Sequence, residues 1–259
     1  MKFYLYPEQK VDYQIKWDYD KFFFEKWYKE SYNITDQESS FYKNENVCVL
    51  KTAFSREYYN DKSISIPQFP RYTFDEEIKK KNREKTILVS FKGHPRRGLN
   101  PIREKLYKMN DDKEIIIKKS SNNVENFEFK IGNKLEIIQS VDEYSYLNLL
   151  LKSRYNILPR GNGWALSYRH IEAMNADSIP VIISDNYVLP FSELIDWTSC
   201  SLKVEEKELE NLLEIVKSNE NKETEMLKNV KKVYEKYLSS IEKIINTSID
   251  IYIKKNLQI

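Results

Sequence analysis

The residue types that bind phosphate crowd into one stretch, PRGNGWALSYRHIE, from Pro159 to Glu172. Arg160 precedes Gly161 and Gly163, two of only five glycines in the chain. Ser167, Arg169 and Glu172 follow where an apolar periodicity sets in. Glycine lets backbone come close to a phosphate, a helix N-terminus offers unpaired N–H groups, and arginine adds bidentate charge-assisted hydrogen bonds. A tight turn with solvated arginines uses the same residue types, and G-x-G falls short of a full dinucleotide fingerprint. Arg169 and Glu172 are three apart and share a helix face. They form either a local ion pair worth about 0.3–0.5 kcal/mol or a pair with divided roles. In the second case Arg169 meets phosphate and Glu172 accepts from a ribose diol.

Other residues offer chemistry nearby. The loop KGHPRRGLN (92–100) gathers Lys92, His94, Arg96 and Arg97 between Gly93 and Gly98. His94 is a candidate base or phosphate contact. Asp185 opens a third loop, DNYVLPF (185–191). Tyr144 and Tyr146 either stack on a base or pack in the core. His170 beside Arg169 points elsewhere and is expected to pack. Asp18-Tyr19-Asp20 has the D-x-D spacing with which some sugar transferases hold a divalent ion, but Asp20 reads as the cap of an aromatic helix over 21–30. Two histidines and two separated cysteines argue against a structural zinc site.

The elements that position these residues are legible from periodicity. TILVSF (86–91), EIIIK (114–118), YNIL (155–158) and IPVIIS (179–184) are strand-like. Helices are expected from Asn100-Pro101, with Asn as cap, and over 142–152 and 168–176. Alternating strands and helices with continuous apolar strands imply a parallel sheet covered on both faces. Ligands of such sheets bind beyond the carboxyl ends of the strands, where all three loops emerge. Before residue 75 the reading is FYLY and NVCVL as strands. Residues 75–85 read as a solvated linker or helix. From Leu227 to Ile249, Leu227, Val230, Tyr234, Tyr237, Leu238, Ile241, Ile245 and Ile249 recur every three or four residues, an amphipathic stripe expected to pack on the core, with a membrane-surface or partner helix as the alternative.

Composition sets outer bounds. At 41% hydrophobic and 14% aromatic, the 259 residues can bury a sizeable core. A formal charge of only +2 argues against a nucleic-acid binder. No run of 18 apolar residues exists, so no transmembrane helix is expected. MKFYLYPEQK is too short and polar for a signal peptide. Cys48 and Cys200, in apolar strand-like contexts, fit buried thiols of a reduced, cytoplasmic protein.

The residues from Ser153 to Trp197, SRYNILPRGNGWALSYRHIEAMNADSIPVIISDNYVLPFSELIDW, closely resemble the signature of exostosin-like glycosyltransferases of family 47. That signature runs S-x-F-x-L-x-P-R-G-x-G, then S-x-R-x-x-E-A, then I-P-V and L-P-F. ILVSFKGHPRRGLNPIREKLY (87–107) is similar to the family's upstream F-x-G strand end and arginine-bearing helix, and KSISIP (62–67) to the strand before it. The likeness covers about 62–218. It implies an α/β protein of GT-B type, two Rossmann-like domains with parallel sheets and a cleft between them, followed by a long C-terminal helix. A reduced N-terminal domain, 1–80, would serve the acceptor, with helix 240–259 as a candidate addition to it. Residues 84–239 would bind the nucleotide-sugar. The resemblance further implies inverting transfer from a UDP-sugar donor to a glycan acceptor without a bound metal or other cofactor. Arg160, Arg169 and Glu172 fall on signature positions, Arg103 on the arginine of the upstream helix, and Tyr146 on a tyrosine ahead of the signature. Two features depart from the family. No stretch of these residues is expected to form the family's usual membrane anchor, and Asp177-Ser178 replaces a glycine-cysteine pair. Asp suits a left-handed helix end less well, so a local change is expected there.

The donor site expected from these readings comprises Arg97, Arg103, Tyr146, Arg160, Gly161, Gly163, Ser167, Arg169, Glu172 and Asp185. Glu57, Asp61 and His94 are the candidates for a catalytic base. A non-catalytic nucleotide-sugar or glycan-binding module of the same fold is the main alternative, and a nucleoside-phosphate enzyme of another α/β class is a third.

Overall fold

The structure, a computed structural model, describes residues 48–52, 54, 56, 59–82, 84–94, 101–120, 143–160 and 168–257. The strand FYLY, the aromatic helix over 21–30 and the D-x-D lie outside them.

Short apolar runs separated by polar turns give parallel strands throughout. β1 (Val49–Lys51) and β2 (Ser63–Ser65) pair as a two-stranded parallel sheet. A five-stranded parallel sheet follows: β3 (Ile87–Gly93), β4 (Ile115–Lys119), β5 (Ser153–Pro159), β6 (Ile179–Ile183) and β7 (Leu202–Lys203), in spatial order β4-β3-β5-β6-β7. Every residue of β6 is buried, as a strand covered on both faces must be. The expected α/β class with parallel sheets holds. The spatial order is that of a doubly wound sheet, whose topological switch point lies between β3 and β5.

Helices join and cover the strands. α1 (Glu76–Lys81) begins at Asp75, whose carboxylate accepts from the Ile78 N–H at 2.9 Å, and it buries none of its residues, matching the solvated stretch expected there. α2 (Ile102–Lys108) follows Pro101, whose φ of −72° is already helical and whose carbonyl accepts from Lys105 N–H; Asn100 lies outside the described residues. Ser145 caps α3 (Tyr146–Lys152) by accepting from the Asn148 N–H at 3.2 Å. α4 is Arg169–Asn175. α5 (Leu212–Ser218) and α6 (Glu223–Val233) continue through a π-helical turn, Tyr234–Leu238, to α7 (Ile241–Leu257).

The C-terminal stripe is corrected in its second half. Val230, Tyr234 and Leu238 are buried as expected, but Ile241 and Ile245 are among the exposed large apolar residues. The break at Ser239-Ser240 rotates the helix, and α7 buries Ile244, Thr247, Ser248 and Ile251 instead. Cys200 is buried, but it ends a 3-10 turn, Trp197–Ser199, rather than lying in a strand, and Cys48 is only half-buried.

One apolar core runs from Ile64 and Ile66 beside β2, through the large sheet, to Ile244 and Ile251 of α7. At its far end α7 is tied to β2 and to the loop after β6. Lys255 Nζ donates to the Ser63 carbonyl at 2.6 Å and pairs with Glu193 at 2.7 Å. That loop also meets β2 through Ser65 Oγ on the Val188 carbonyl (2.8 Å) and the Phe191 N–H on the Ser65 carbonyl (2.8 Å).

Candidate functional site

The carboxyl ends of β3, β5 and β6 share one edge of the sheet, as the three loops require. At the switch point β3 ends in Phe91-Lys92-Gly93 and β5 in Leu158-Pro159, and a small crevice of about 10 Å³, room for one water, lies between them. Arg169, Tyr146, Lys92 and Asn156 supply its polar walls, and Phe91, Leu149 and Leu150 of α3, Ile157 and Leu158 its apolar ones.

Phe91 carries two arginines. The Arg103 guanidinium lies 5.6 Å from its ring centroid and the Arg169 guanidinium 5.5 Å. Arg169 also stacks on Tyr146 at 4.7 Å and donates through Nη1 to the Lys92 carbonyl at 2.5 Å. Burial works against its charge, but Tyr146, Tyr168 and Glu172 outweigh that burial, and its pKa is raised. Arg103 is buried on α2 and donates to the His94 carbonyl at 3.3 Å. Arg169, from the signature, and Arg103, reached through the family resemblance, thus meet on one ring across the switch point. This explains the F-x-G ending of β3: the Phe91 ring folds back over Gly93.

Glu172 is fully buried one turn after Arg169. Its Oε1 accepts from the N–H groups of Arg71 (2.8 Å) and Tyr72 (3.1 Å), and its Oε2 from the Tyr146 hydroxyl. Burial raises its pKa, against the pull of the Tyr146 hydrogen bond and the Arg169 charge. The groups expected to be left for a ribose diol are therefore engaged with the protein. Tyr146 lies between Arg169 and Tyr72, 5.9 Å from the latter, with its own pKa driven well up by burial.

The remaining candidates divide. Arg160 forms a two-point ion pair with Glu206, Nε to Oε1 at 2.5 Å and Nη2 to Oε2 at 3.1 Å, instead of turning to the crevice. Asp185 is exposed and accepts from the Glu206 N–H at 3.1 Å, so it caps the 3-10 turn carrying Arg160's partner. Lys92 is buried, with Nζ on the Tyr144 carbonyl at 2.8 Å. His94 follows β3 at its carboxyl end, and its carbonyl accepts from Arg103. Asp61 is exposed in the turn before β2, at the opposite end of that strand from the residues that reach Glu172. Glu57, Arg96, Arg97, Gly161, Gly163 and Ser167 lie outside the described residues. His170 is buried and packs edge-on against Trp197 at 6.0 Å, as expected. Three participants were not visible in the sequence: Arg71 and Tyr72, a hundred residues before Glu172, and Glu206. No spacing signals any of them.

A family model describing the Exostosin GT47 domain matches residues 18–219, most of the chain. The chain belongs to the Exostosin GT47 family. An exostosin-1 homolog of Caenorhabditis elegans is 34% identical over 115 residues, covering 44% of this chain and 30% of that protein. Exostosin-1 of Drosophila melanogaster is 30% identical over 173 residues, 64% of this chain and 22% of that protein. Exostosin-1b of Danio rerio is 34% identical over 118 residues, 45% of this chain and 16% of that protein. These matches span about 16 to 30% of the relatives' own lengths. The solved structure of TarM overlays 74% of this chain and 39% of its own with a TM-score of 0.41 and 13% identity, too loose a likeness to bear on the fold. Within this exostosin-family chain, no described helix is long and apolar enough to cross a membrane. Among the described residues no group of three or more His, Cys, Asp or Glu could hold a metal ion.

Proposed function

We propose that this exostosin-family chain is a glycosyltransferase that moves a sugar from a UDP-sugar to a glycan hydroxyl, with inversion and without a metal. The observation that carries the reading is the pair of arginines on Phe91 at the switch point, with Arg169 held between Phe91 and Tyr146. Fixed cations at the carboxyl edge of a parallel sheet suit a diphosphate.

In the single displacement the acceptor oxygen bonds to the anomeric carbon as that carbon's bond to the phosphate oxygen breaks. The acceptor proton passes to a base, for which His94, Glu57 and Asp61 remain the candidates. Of these, His94 follows β3 at its carboxyl end, the edge from which the donor loops emerge. UDP leaves with the electron pair, and its charge is stabilised by Arg169 and Arg103 in place, with no metal required. Arg97, Gly161, Gly163 and Ser167 complete the donor floor in this reading. Arg160 joins them by exchanging Glu206 for phosphate, and Asp185 shapes the neighbouring loop. This reading takes the reaction to be cytoplasmic, as the two unpaired-thiol contexts suggest.

A second reading, a binding module without turnover, gains support from one observation: Arg160 and Glu172 are both taken up by protein partners. UDP release from a panel of UDP-sugars, with and without EDTA, separates the two. Transfer that survives EDTA is expected. Binding of UDP with no release from any sugar assigns the module, and no binding of UDP at millimolar concentration removes both.

A further inference from the structure

Arg169, Glu172 and Asn175 follow one another at three-residue spacing along α4. The last two are engaged with a segment from the far side of the fold. Glu172 accepts the N–H groups of Arg71 and Tyr72, and Asn175 accepts the N–H of Phe74 through Oδ1 and donates to the Phe74 carbonyl at 3.4 Å. The Phe74 ring is buried with Leu147, Leu150 and Leu151 of α3, Ala173 of α4 and Ala176 just after it. Residues 71–74 link β2 to the large sheet, and this row of side chains and the Phe74 pocket fix their path onto α4, with Arg71 on the Tyr168 ring and Tyr72 against Tyr146 adding to the hold. The same Glu172 holds the Tyr146 hydroxyl, and the Tyr146 ring holds Arg169.

A diol that took Glu172 Oε1 would displace two backbone N–H groups that are then left unsatisfied, a cost that buried donors impose in full. We propose that Glu172 is a positioning residue, a latch that holds residues 71–74 on the donor face and fixes Tyr146 against Arg169. One consequence is the placement of Arg71, whose guanidinium lies 4.7 Å above the Tyr168 ring, one residue before Arg169, as a further cation of that face. The proposal rests on the donor reading only for what the face binds; the latch itself does not depend on it.

The test has an arm for each. Amide hydrogen exchange on the intact chain, without ligand, reads the latch. In Glu172→Ala, a peptide covering 67–78 should exchange at least about tenfold faster while 153–159 and 179–183 are unchanged. Glu172→Gln, whose amide oxygen still accepts both N–H bonds, should stay within about threefold of the original. Asn175→Ala, which leaves every side chain of the crevice in place, should also loosen 67–78, and it decides the matter if Glu172→Ala does not fold. The second arm compares UDP with 2′-deoxy-UDP. A latch weakens both by the same factor in each variant, about tenfold in Glu172→Ala, so their affinity ratio is preserved. Unchanged exchange in both alanine variants overturns the proposal, as does a Glu172→Gln protein that no longer distinguishes the two nucleotides. If neither nucleotide binds the original chain, the donor reading fails, and the exchange arm still decides the latch.

Discussion

A Cβ added at Gly93 would meet Phe91 Cζ at 2.6 Å, closer than carbon atoms approach without something moving. The ring that would have to move carries Arg103 and Arg169, so the glycine serves the arginines rather than the turn. Arginine at 169 is itself demanding. It stacks between two rings and donates to the Lys92 carbonyl, tasks that need a planar, forked cation. Arg169→Ala should lower UDP affinity about 10–100-fold, and Arg169→Lys should recover little of it. Calorimetric titration of UDP checks this, and near-normal affinity in the lysine variant would remove the stacking role. At this scale the sequence was informative where partners are local. The three-residue spacing of Arg169 and Glu172 shows a shared face, but the pair is not a simple ion bridge. Glu172's partners lie a hundred residues upstream on backbone N–H groups, which no side-chain pattern records. Arg160 looked available because Glu206, its partner, belongs to a charged run that reads as a solvated surface.

Helix ends show how much an element tolerates. Asp177 stands where the family carries glycine, and it takes a backbone conformation that glycine favours. It adopts the left-handed conformation, φ 55°, and closes the end of α4 with its own N–H on the Met174 carbonyl and the Ser178 N–H on the Ala173 carbonyl. Lys231 of α6 pairs with its carboxylate at 3.0 Å, an interaction glycine lacks and one that keeps α6 on α4. Left-handed backbone costs a residue with a Cβ about 1 kcal/mol, and a partly exposed ion pair returns less than that. Asp177→Gly should therefore stabilise by about 0.5 kcal/mol, and Asp177→Ala, which keeps the strain and loses the pair, should destabilise by about as much. Urea unfolding of the two variants measures both signs. The C-terminal helix gives the opposite lesson. Its periodicity carries straight through Ser239-Ser240 on paper, whereas the chain breaks register there. Ile244→Ala should cost about 2–4 kcal/mol and Ile245→Ala less than about 0.5, though the sequence stripe ranks them the other way. Strands β3 to β6 were legible within a residue or two because apolar runs of that length have few other uses. A two-serine break in a helix leaves no such mark.

Across the whole molecule, the site helices are held at both ends. Their starts carry Tyr146 and Arg169 at the carboxyl edge of the sheet, and their last turns meet at Lys85, just before β3. Lys85 Nζ donates to the Leu151 carbonyl of α3 and the Ala176 carbonyl that ends α4, each at 2.6 Å. Capping two helix ends with one cation is favourable, since both dipoles point negative ends at it. The position also strips water from the amine, and burial lowers its pKa to about 8, with Asp177 pulling it up and Lys231 and Lys79 pushing it further down. The sign of the pH effect follows. Below about pH 7.5 the amine is protonated in both folded and unfolded chains, and stability does not change through it. Between about 8 and 10.5 the unfolded chain still binds the proton and the folded chain has released it, so stability rises with pH. A neutral amine still donates to both carbonyls, so the tie survives the loss of charge. Lys85→Met keeps the apolar stem and removes the titration. Relative to that variant, the original chain should gain on the order of 1–3 kcal/mol between pH 7.5 and 10 in urea unfolding. The tyrosines whose pKa values burial raises pull the other way above pH 10, but they are common to both proteins and cancel in the difference. A difference that stays flat over this range would mean that Lys85 remains hydrated and that α3 and α4 end independently of each other.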